Sequence, residues 1–222
     1  MKIVFFGTPN IALPVLESLA KEHEIAAVVT RPDVKVGRKQ QLEESPVSAL
    51  GRDLGFEVLK PERVKNNPEL LQRLSALAAD IFVVVAYGQI LPLAVINLPR
   101  LKTVNVHFSV LPRYRGPSPI QGALLSGEAQ TGVSLFVLDE LVDHGPLIAQ
   151  EIVGIDPRDN YFTLADKLAR RSAEIINSAL AGYAAGAITP LPQDEAAATT
   201  TKIIAKADGK IDWSRPAAEI FN

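Results

Sequence analysis

Apolar runs of strand length recur along the chain, with helical stretches between them. Lys2–Phe6 (KIVFF) is rich in β-branched and aromatic residues and closes on the turn signal Gly7-Thr8-Pro9. Ile11–Lys21 then sets Leu13, Leu16, Leu19 and Ala20 on one face at helical spacing. Ile25–Val29 predicts a second strand, ended by Arg31-Pro32-Asp33. Pro46–Leu54 predicts a helix, Glu57–Leu59 a short strand, and Asn67–Ala78 a helix with Leu70, Leu71, Leu74 and Leu77 turned inward. Ile81–Ala86 (IFVVVA) is apolar throughout, the pattern of a strand buried on both faces of a parallel sheet. Strands follow at Thr103–His107, Val133–Leu138 and Leu147–Val153, with a helix at Pro119–Leu125 and a long one at Tyr161–Ala185.

Strand and helix alternating in this way predict an α/β fold with a doubly wound, mostly parallel, Rossmann-like sheet. The turn Gly7-Thr8-Pro9-Asn10 lacks the G-x-G-x-x-G dinucleotide fingerprint, which disfavours a nicotinamide enzyme. The alternation stops near residue 186. Ile188–Lys202 carries two Pro and four Thr, a composition suited to an extended linker. Trp213 and a short helical pattern at Pro216–Phe221 come next, without a completed core. The expected organisation is a catalytic domain over 1–186, a linker over 187–204, and the incomplete start of a second domain over 205–222. A length of 222 residues, at roughly 150 residues per domain, agrees with one and a half domains.

Composition narrows the function classes. Hydrophobic residues make up 47% and charged residues 22%, which excludes a disordered, collagenous or coiled-coil chain. The net charge of −2 argues against non-specific coating of nucleic acid, so any such contact must come from a local basic patch. The absence of cysteine removes disulfides, thiolate nucleophiles and thiolate metal sites. No apolar run is long enough to span a bilayer, and the N-terminus reads as a buried strand rather than a signal peptide. A soluble, cytoplasmic monomer without membrane contact is expected.

The candidate chemistry lies between Thr103 and Pro146. Asn105 and His107 are two apart, so on one strand their side chains point the same way. An amide donor beside an imidazole at the carboxyl end of a strand can stabilise a developing oxyanion and shuttle a proton. Taken alone, Asn105 could cap the strand and His107 could be a satisfied core histidine. The flanking residues carry Arg100, Lys102, Arg113 and Arg115 without an acid, so a carboxylate partner for His107 must come from downstream: Asp139, Glu140 or Asp143. A metal site built from His107, Asp139, Asp143 and His144 is disfavoured, because neither H-E-x-x-H nor H-x-H occurs.

The run NVHFSVLPRYRG, followed by Pro119-Ile120-Gln121 and then TGVSLFVLDELVDHGPL, resembles the folate-dependent formyltransferases. Within them it is most similar to the members acting on initiator methionyl-tRNA. The opening KIVFFGTPNIA, Val83–Pro92 (VVVAYGQILP) and Lys210–Ser214 (KIDWS) extend the resemblance over almost the whole chain. It implies a catalytic trio of Asn105, His107 and Asp143, with 10-formyltetrahydrofolate as co-substrate and no metal. Asn105 and protonated His107 would stabilise the oxyanion formed when the methionyl amine attacks the formyl carbon; Asp143 would hold His107 charged and help relay the proton. The folate signature falls on Ser109, Val110, Leu111 and Pro112, where Val110 replaces the usual Leu. Phe108 stands where Pro is common, and Pro146 where some members have Asp. Tyr87, Gln89, Ile90 and Leu91, with Asp139, complete the implied cofactor-binding set.

Between the second strand and the next helix, Arg31, Lys35, Arg38 and Lys39 outweigh Asp33 within nine residues. Gly37 and the lack of apolar periodicity predict a flexible loop. The resemblance implies that this insertion enters the tRNA acceptor stem, which makes those four residues the expected tRNA-binding set. It further implies a C-terminal β-barrel with much of the remaining basic surface, so the 222 residues are expected to keep the folate pocket but to bind tRNA weakly. A formyltransferase acting on a nucleotide-linked amino sugar, or a 10-formyltetrahydrofolate hydrolase, would keep the same trio. A non-enzymatic Rossmann-type RNA- or nucleotide-binding module would make the trio incidental.

Overall fold

A computed structural model describes residues 1–37 and 40–222, with Val36 described by its backbone alone. Seven strands form one sheet in the order β5-β2-β1-β6-β7-β8-β9. They are β1 (Lys2–Gly7), β2 (Glu24–Val29), β5 (Val58–Leu59), β6 (Ile81–Val85), β7 (Thr103–His107), β8 (Gln130–Val137) and β9 (Leu147–Gly154). The pairs from β5 through β7 are parallel, whereas β8 runs antiparallel to both β7 and β9. The sheet is therefore mostly parallel with an antiparallel edge, as the strand–helix alternation implies.

Helices cover both faces of the sheet. Ile3 and Phe5 of β1, Ile81, Val83 and Val85 of β6, and Val104 and Val106 of β7 pack in one core with α1 (Leu13–Glu22) and α6 (Tyr161–Ala184). The alternate positions Val4, Phe6, Phe82 and Val84 pack in a second core with α3 (Pro68–Ala76) and α4 (Leu93–Ile96). A strand with apolar neighbours on both sides needs apolar residues at every position, which is why β6 is an unbroken apolar run. The helices begin where a polar side chain receives orphan amide groups. Ser45 accepts from Ser48 N at the start of α2 (Pro46–Asp53), and Asn67 from Leu70 N ahead of α3. Asn160 and Thr163 form a reciprocal capping box at α6.

The Arg31–Pro46 segment differs from the flexible loop expected. Val34–Val36 (β3) and Gln41–Glu43 (β4) pair antiparallel as a separate two-stranded hairpin. Three-residue strands are too short to show periodicity, and a turn entered through Gly37 at φ +71° joins them. Arg38 and Lys39 lie outside the described residues. Helix α4 and the early start of β8 at Gln130 are also absent from the sequence pattern, α4 because it is a single turn.

The 187–204 segment, with a short 3-10 helix at Glu195–Ala197, is bound to the main body. Leu191 and Leu147 exchange backbone hydrogen bonds at 2.9 and 2.7 Å, and Arg115 pairs alongside Thr200. Beyond it, residues 205–222 are almost wholly exposed, including Trp213 and Phe221 of α7 (Ala217–Phe221).

Candidate active site

In an open α/β sheet, loops diverge where the strand order reverses, leaving a crevice at the carboxyl ends of the strands. Here that point lies between β1 and β6, whose neighbours continue in opposite directions. Thr8, after β1, donates its hydroxyl to the Tyr87 carbonyl, after β6, at 2.9 Å, closing the floor of the crevice. The next strand outward is β7.

On β7, Val104 and Val106 are committed to the first core, so Thr103, Asn105 and His107 face the other way. Thr103 satisfies its hydroxyl on the Ile96 carbonyl, and the two residues nearer the carboxyl end are left for chemistry. Asp143 comes from the loop between β8 and β9. Its Oδ1 lies 3.5 Å from Asn105 Nδ2, its Oδ2 lies 3.6 Å from His107 Nδ1, and the same Oδ2 accepts the Gly116 amide at 2.7 Å. Residues distant in sequence thus meet on one carboxylate, and Asp139 and Glu140 are not the partners of His107.

His107 Nε2 lies 2.9 Å from the Tyr114 carbonyl. A carbonyl only accepts, so Nε2 carries the hydrogen, and Nδ1 faces Asp143 either as a lone pair or as a second N–H. The ring is buried. This arrangement can donate an amide hydrogen bond to a developing anion while holding or moving a proton beside it.

Two of the residues that shape the site adopt left-handed backbone: Tyr114 at φ +59° and Asp143 at φ +49°. Such a conformation costs a side-chain-bearing residue roughly 1–2 kcal/mol, and it persists where surrounding contacts fix it. Gly145 permits the close return of the Asp143 loop, since a Cβ there would lie 1.8 Å from the Val137 carbonyl.

The expected cofactor-binding residues divide into two groups. Tyr87 and Leu91 are buried in the second core, and burial pushes the Tyr87 phenol up to about 12. Gln89 turns its amide toward the 61–64 segment, accepting from Val64 N and donating to Pro61 and Glu62 carbonyls, while Ile90 is exposed. Among the described residues, the backbone of Gly88 to Leu91 takes no backbone partner. The Ser109–Pro112 loop is held from below: Ser134 donates to the Ser109 carbonyl and accepts from Leu111 N, and Gln150 donates to the Leu111 carbonyl. Val110 packs beside Gly132. Asp139 has a different partner, binding Leu141 N at 2.9 Å and His144 Nδ1 at 2.6 Å. Of the basic set, Arg31 lies against Gly88 and Lys35 is exposed on β3. No cluster that could hold a metal ion occurs among the described residues. A cleft of about 660 Å³ elsewhere, between β4, α2 and β5, is lined by charges that pair internally, such as Lys60 with Asp33 at 2.6 Å.

Gln193, Thr199 and Thr201 escape the sequence reading altogether. Gln193 donates to the carbonyls of Asp143 and Gly145 at 2.9 and 2.8 Å and accepts from Arg115 at 2.7 and 3.0 Å. Arg115 also pairs with Glu195, which holds the guanidinium above and the carboxyl below their ordinary values. Thr199 Oγ1 accepts the Tyr114 amide at 2.8 Å, and Thr201 Oγ1 accepts from Ser118 N and donates to the Arg115 carbonyl.

Residues 1–180 match the formyl transferase family, and the chain belongs to that family. It is 44% identical, over its whole length and 70% of the relative's, to a methionyl-tRNA formyltransferase of Synechococcus sp. (strain JA-3-3Ab). The identity is again 44%, over 99% of the chain and 71% of the relative, for the methionyl-tRNA formyltransferase of Chloroflexus aurantiacus (strain ATCC 29366 / DSM 635 / J-10-fl). Within the family the chain is therefore a member of the methionyl-tRNA formyltransferases. The fold recurs in WlaRD, a sugar 3N-formyl transferase solved in the presence of dTDP and 5-N-formyl-THF. The TM-score is 0.73 at 21% identity, covering the whole chain and 77% of the other.

Proposed function

We propose that the protein transfers the formyl group of 10-formyltetrahydrofolate to the amino group of methionine carried on initiator tRNA. The convergence of Asn105 and His107 on the Asp143 carboxylate carries this reading. The family membership and the methionyl-tRNA formyltransferase relatives support the substrates.

The residues present fit a folate. Gly88 to Leu91 offer backbone donors and acceptors that, among the described residues, have no backbone partner, as a pterin edge requires, at the switch-point crevice. 10-Formyltetrahydrofolate supplies the formyl carbon. Asn105 Nδ2 is the donor for negative charge developing on the formyl oxygen, worth about 2.7–4 kcal/mol where such a donor is pre-positioned. His107 Nδ1, with Nε2 fixed on the Tyr114 carbonyl, takes the proton lost by the attacking amine and passes it to N10 as the formyl carbon–N10 bond breaks and tetrahydrofolate leaves. Asp143 orients the ring and stabilises its charged form. Tyr87, Gln89, Ile90, Leu91, Ser109, Val110, Leu111, Pro112 and Asp139 form the folate-side wall in this reading, Asp139 by shaping the Asp143 loop through His144. Arg31, Lys35, Arg38 and Lys39 meet tRNA phosphates in this reading, with Arg31 beside Gly88 and Lys35 exposed on β3. Residues 1–186 act as the catalytic domain, 187–204 link it to a second domain, and 205–222 open that domain. The working form is a cytoplasmic monomer.

Formyl transfer from 10-formyltetrahydrofolate to charged initiator tRNA is the direct assay. Formylmethionyl-tRNA is expected from the wild type and its near-complete loss from His107→Ala. Undiminished transfer by His107→Ala, or none by a wild type that binds both substrates, would overturn the reading.

A further inference from the structure

One member of the trio, Asp143, and the residue that holds another, Tyr114, stand in left-handed conformation, and the same distant segment grips both. Asp143, at φ +49°, has its carbonyl bound by Gln193. Tyr114, at φ +59°, has its amide bound by Thr199, and its carbonyl holds His107. Gly116 supplies the amide that fixes the Asp143 carboxylate, and it stands at φ +101° directly beneath Thr201. A Cβ on Gly116 would lie 2.8 Å from the Thr201 carbonyl.

We infer that residues 191–201 are a strap that sets the catalytic geometry, with Gln193 and Thr199 as positioning residues for Asp143 and His107. The inference rests on the proposed roles of the trio. Gln193 is suited to its place because a carboxamide both donates twice and accepts twice. It is buried and uses that capacity fully, joining the Arg115 guanidinium to the Asp143 and Gly145 carbonyls. A glutamate there would keep the Arg115 contact and lose both donors, facing two carbonyl oxygens with negative charge. Thr199 contributes a single acceptor to Tyr114 N, so valine removes the contact at nearly constant volume and serine restores it. Among the described residues, no hydrogen bond joins the strap to the side chains of Asn105 or His107, which bond Asp143 and Tyr114. The strap's influence therefore passes through backbone, at Asp143 and Tyr114.

The test compares Gln193→Glu, Thr199→Val and Thr199→Ser in the 222-residue protein, with Leu191→Ala, an exposed side chain in the same strap, as control. Two readouts are taken: kcat and KM for formyl transfer, and the NMR resonances of the Gly116 amide and the His107 ring. Misplacing a reacting group by about 1 Å can cost on the order of 100-fold. Gln193→Glu and Thr199→Val are expected to lose about tenfold or more in kcat, with KM within about twofold. They are also expected to shift both resonances, with Thr199→Ser near wild type. Unchanged resonances in both variants would overturn the strap whatever the rates. If the resonances move while His107→Ala still transfers formyl, the positioning stands and the catalytic role of the trio falls.

Discussion

At the scale of single residues, the proposed reaction gives Asn105, His107 and Asp143 different tasks. Asn105 is the neutral donor, and among the described residues no other side-chain amide bonds the Asp143 carboxylate. Asn105→Ala should lower kcat by about 100- to 1,000-fold with little change in KM, measured by steady-state formyl transfer. An effect confined to KM would reassign Asn105 to ground-state binding. Tyr87 makes the opposite case. Its hydroxyl is buried without a hydrogen-bond partner among the described residues, although the ring packs edge-on against Phe6 at 5.5 Å. A buried unpaired hydroxyl costs about 1–3 kcal/mol. Tyr87→Phe should therefore unfold at higher denaturant concentration, by about 1 kcal/mol of stability. A less stable variant would mean that the hydroxyl has a partner after all. Position and residue type made the Asn105–His107 pair legible in the sequence, and the family resemblance implied Asp143; the orphaned hydroxyl was not legible, because it depends on what surrounds the ring.

At the scale of elements, β1 and β6 form the centre of the sheet and are tied where they begin. Asp80, just before β6, accepts the Lys2 amide at 2.8 Å and bonds Arg100 at 3.0 Å, while its own amide donates to the Lys2 carbonyl. The Lys2 hydrogen bond and then Arg100 hold its carboxyl below the ordinary value of 3.8. A depressed value stabilises the fold above the unfolded pKa, and that contribution disappears as pH falls through the lower folded value. Asp80→Asn should thus weaken the protein near neutral pH. The difference from wild type should close below the carboxyl's ordinary 3.8, as read by urea unfolding across that range. A gap that is constant with pH would remove the charge from the explanation. Most elements were visible as patterns because long helices and buried strands repeat their spacing. The β3–β4 hairpin and the single turn of α4 were not, since three or four residues complete no period.

At the scale of the whole molecule, the 187–204 segment is where composition and packing part company. Proline and threonine predict an extended linker, yet Glu195–Ala197 form a short 3-10 helix within it, and which part is anchored depends on the surface it meets. Leu191 to Thr201 bond to β9 and to the Pro112–Ser118 loop, whereas the residues from Lys202 onward are almost entirely exposed. Limited digestion with a broad-specificity protease should cut first within residues 202–219 and spare 191–201, with cleavage sites read by mass spectrometry. Early cleavage inside 191–201 would show that the strap is not held. The sequence by itself determined the α/β class, the order of the main elements and the Asn105–His107 pair, because periodicity and residue chemistry are local properties. Tertiary structure decided which of three downstream acids reaches His107, which way its ring is fixed, and that a polar run read as a tether grips the site. Those outcomes depend on pairings between residues 7 to 86 positions apart, and no local spacing encodes which distant carbonyl a glutamine will find.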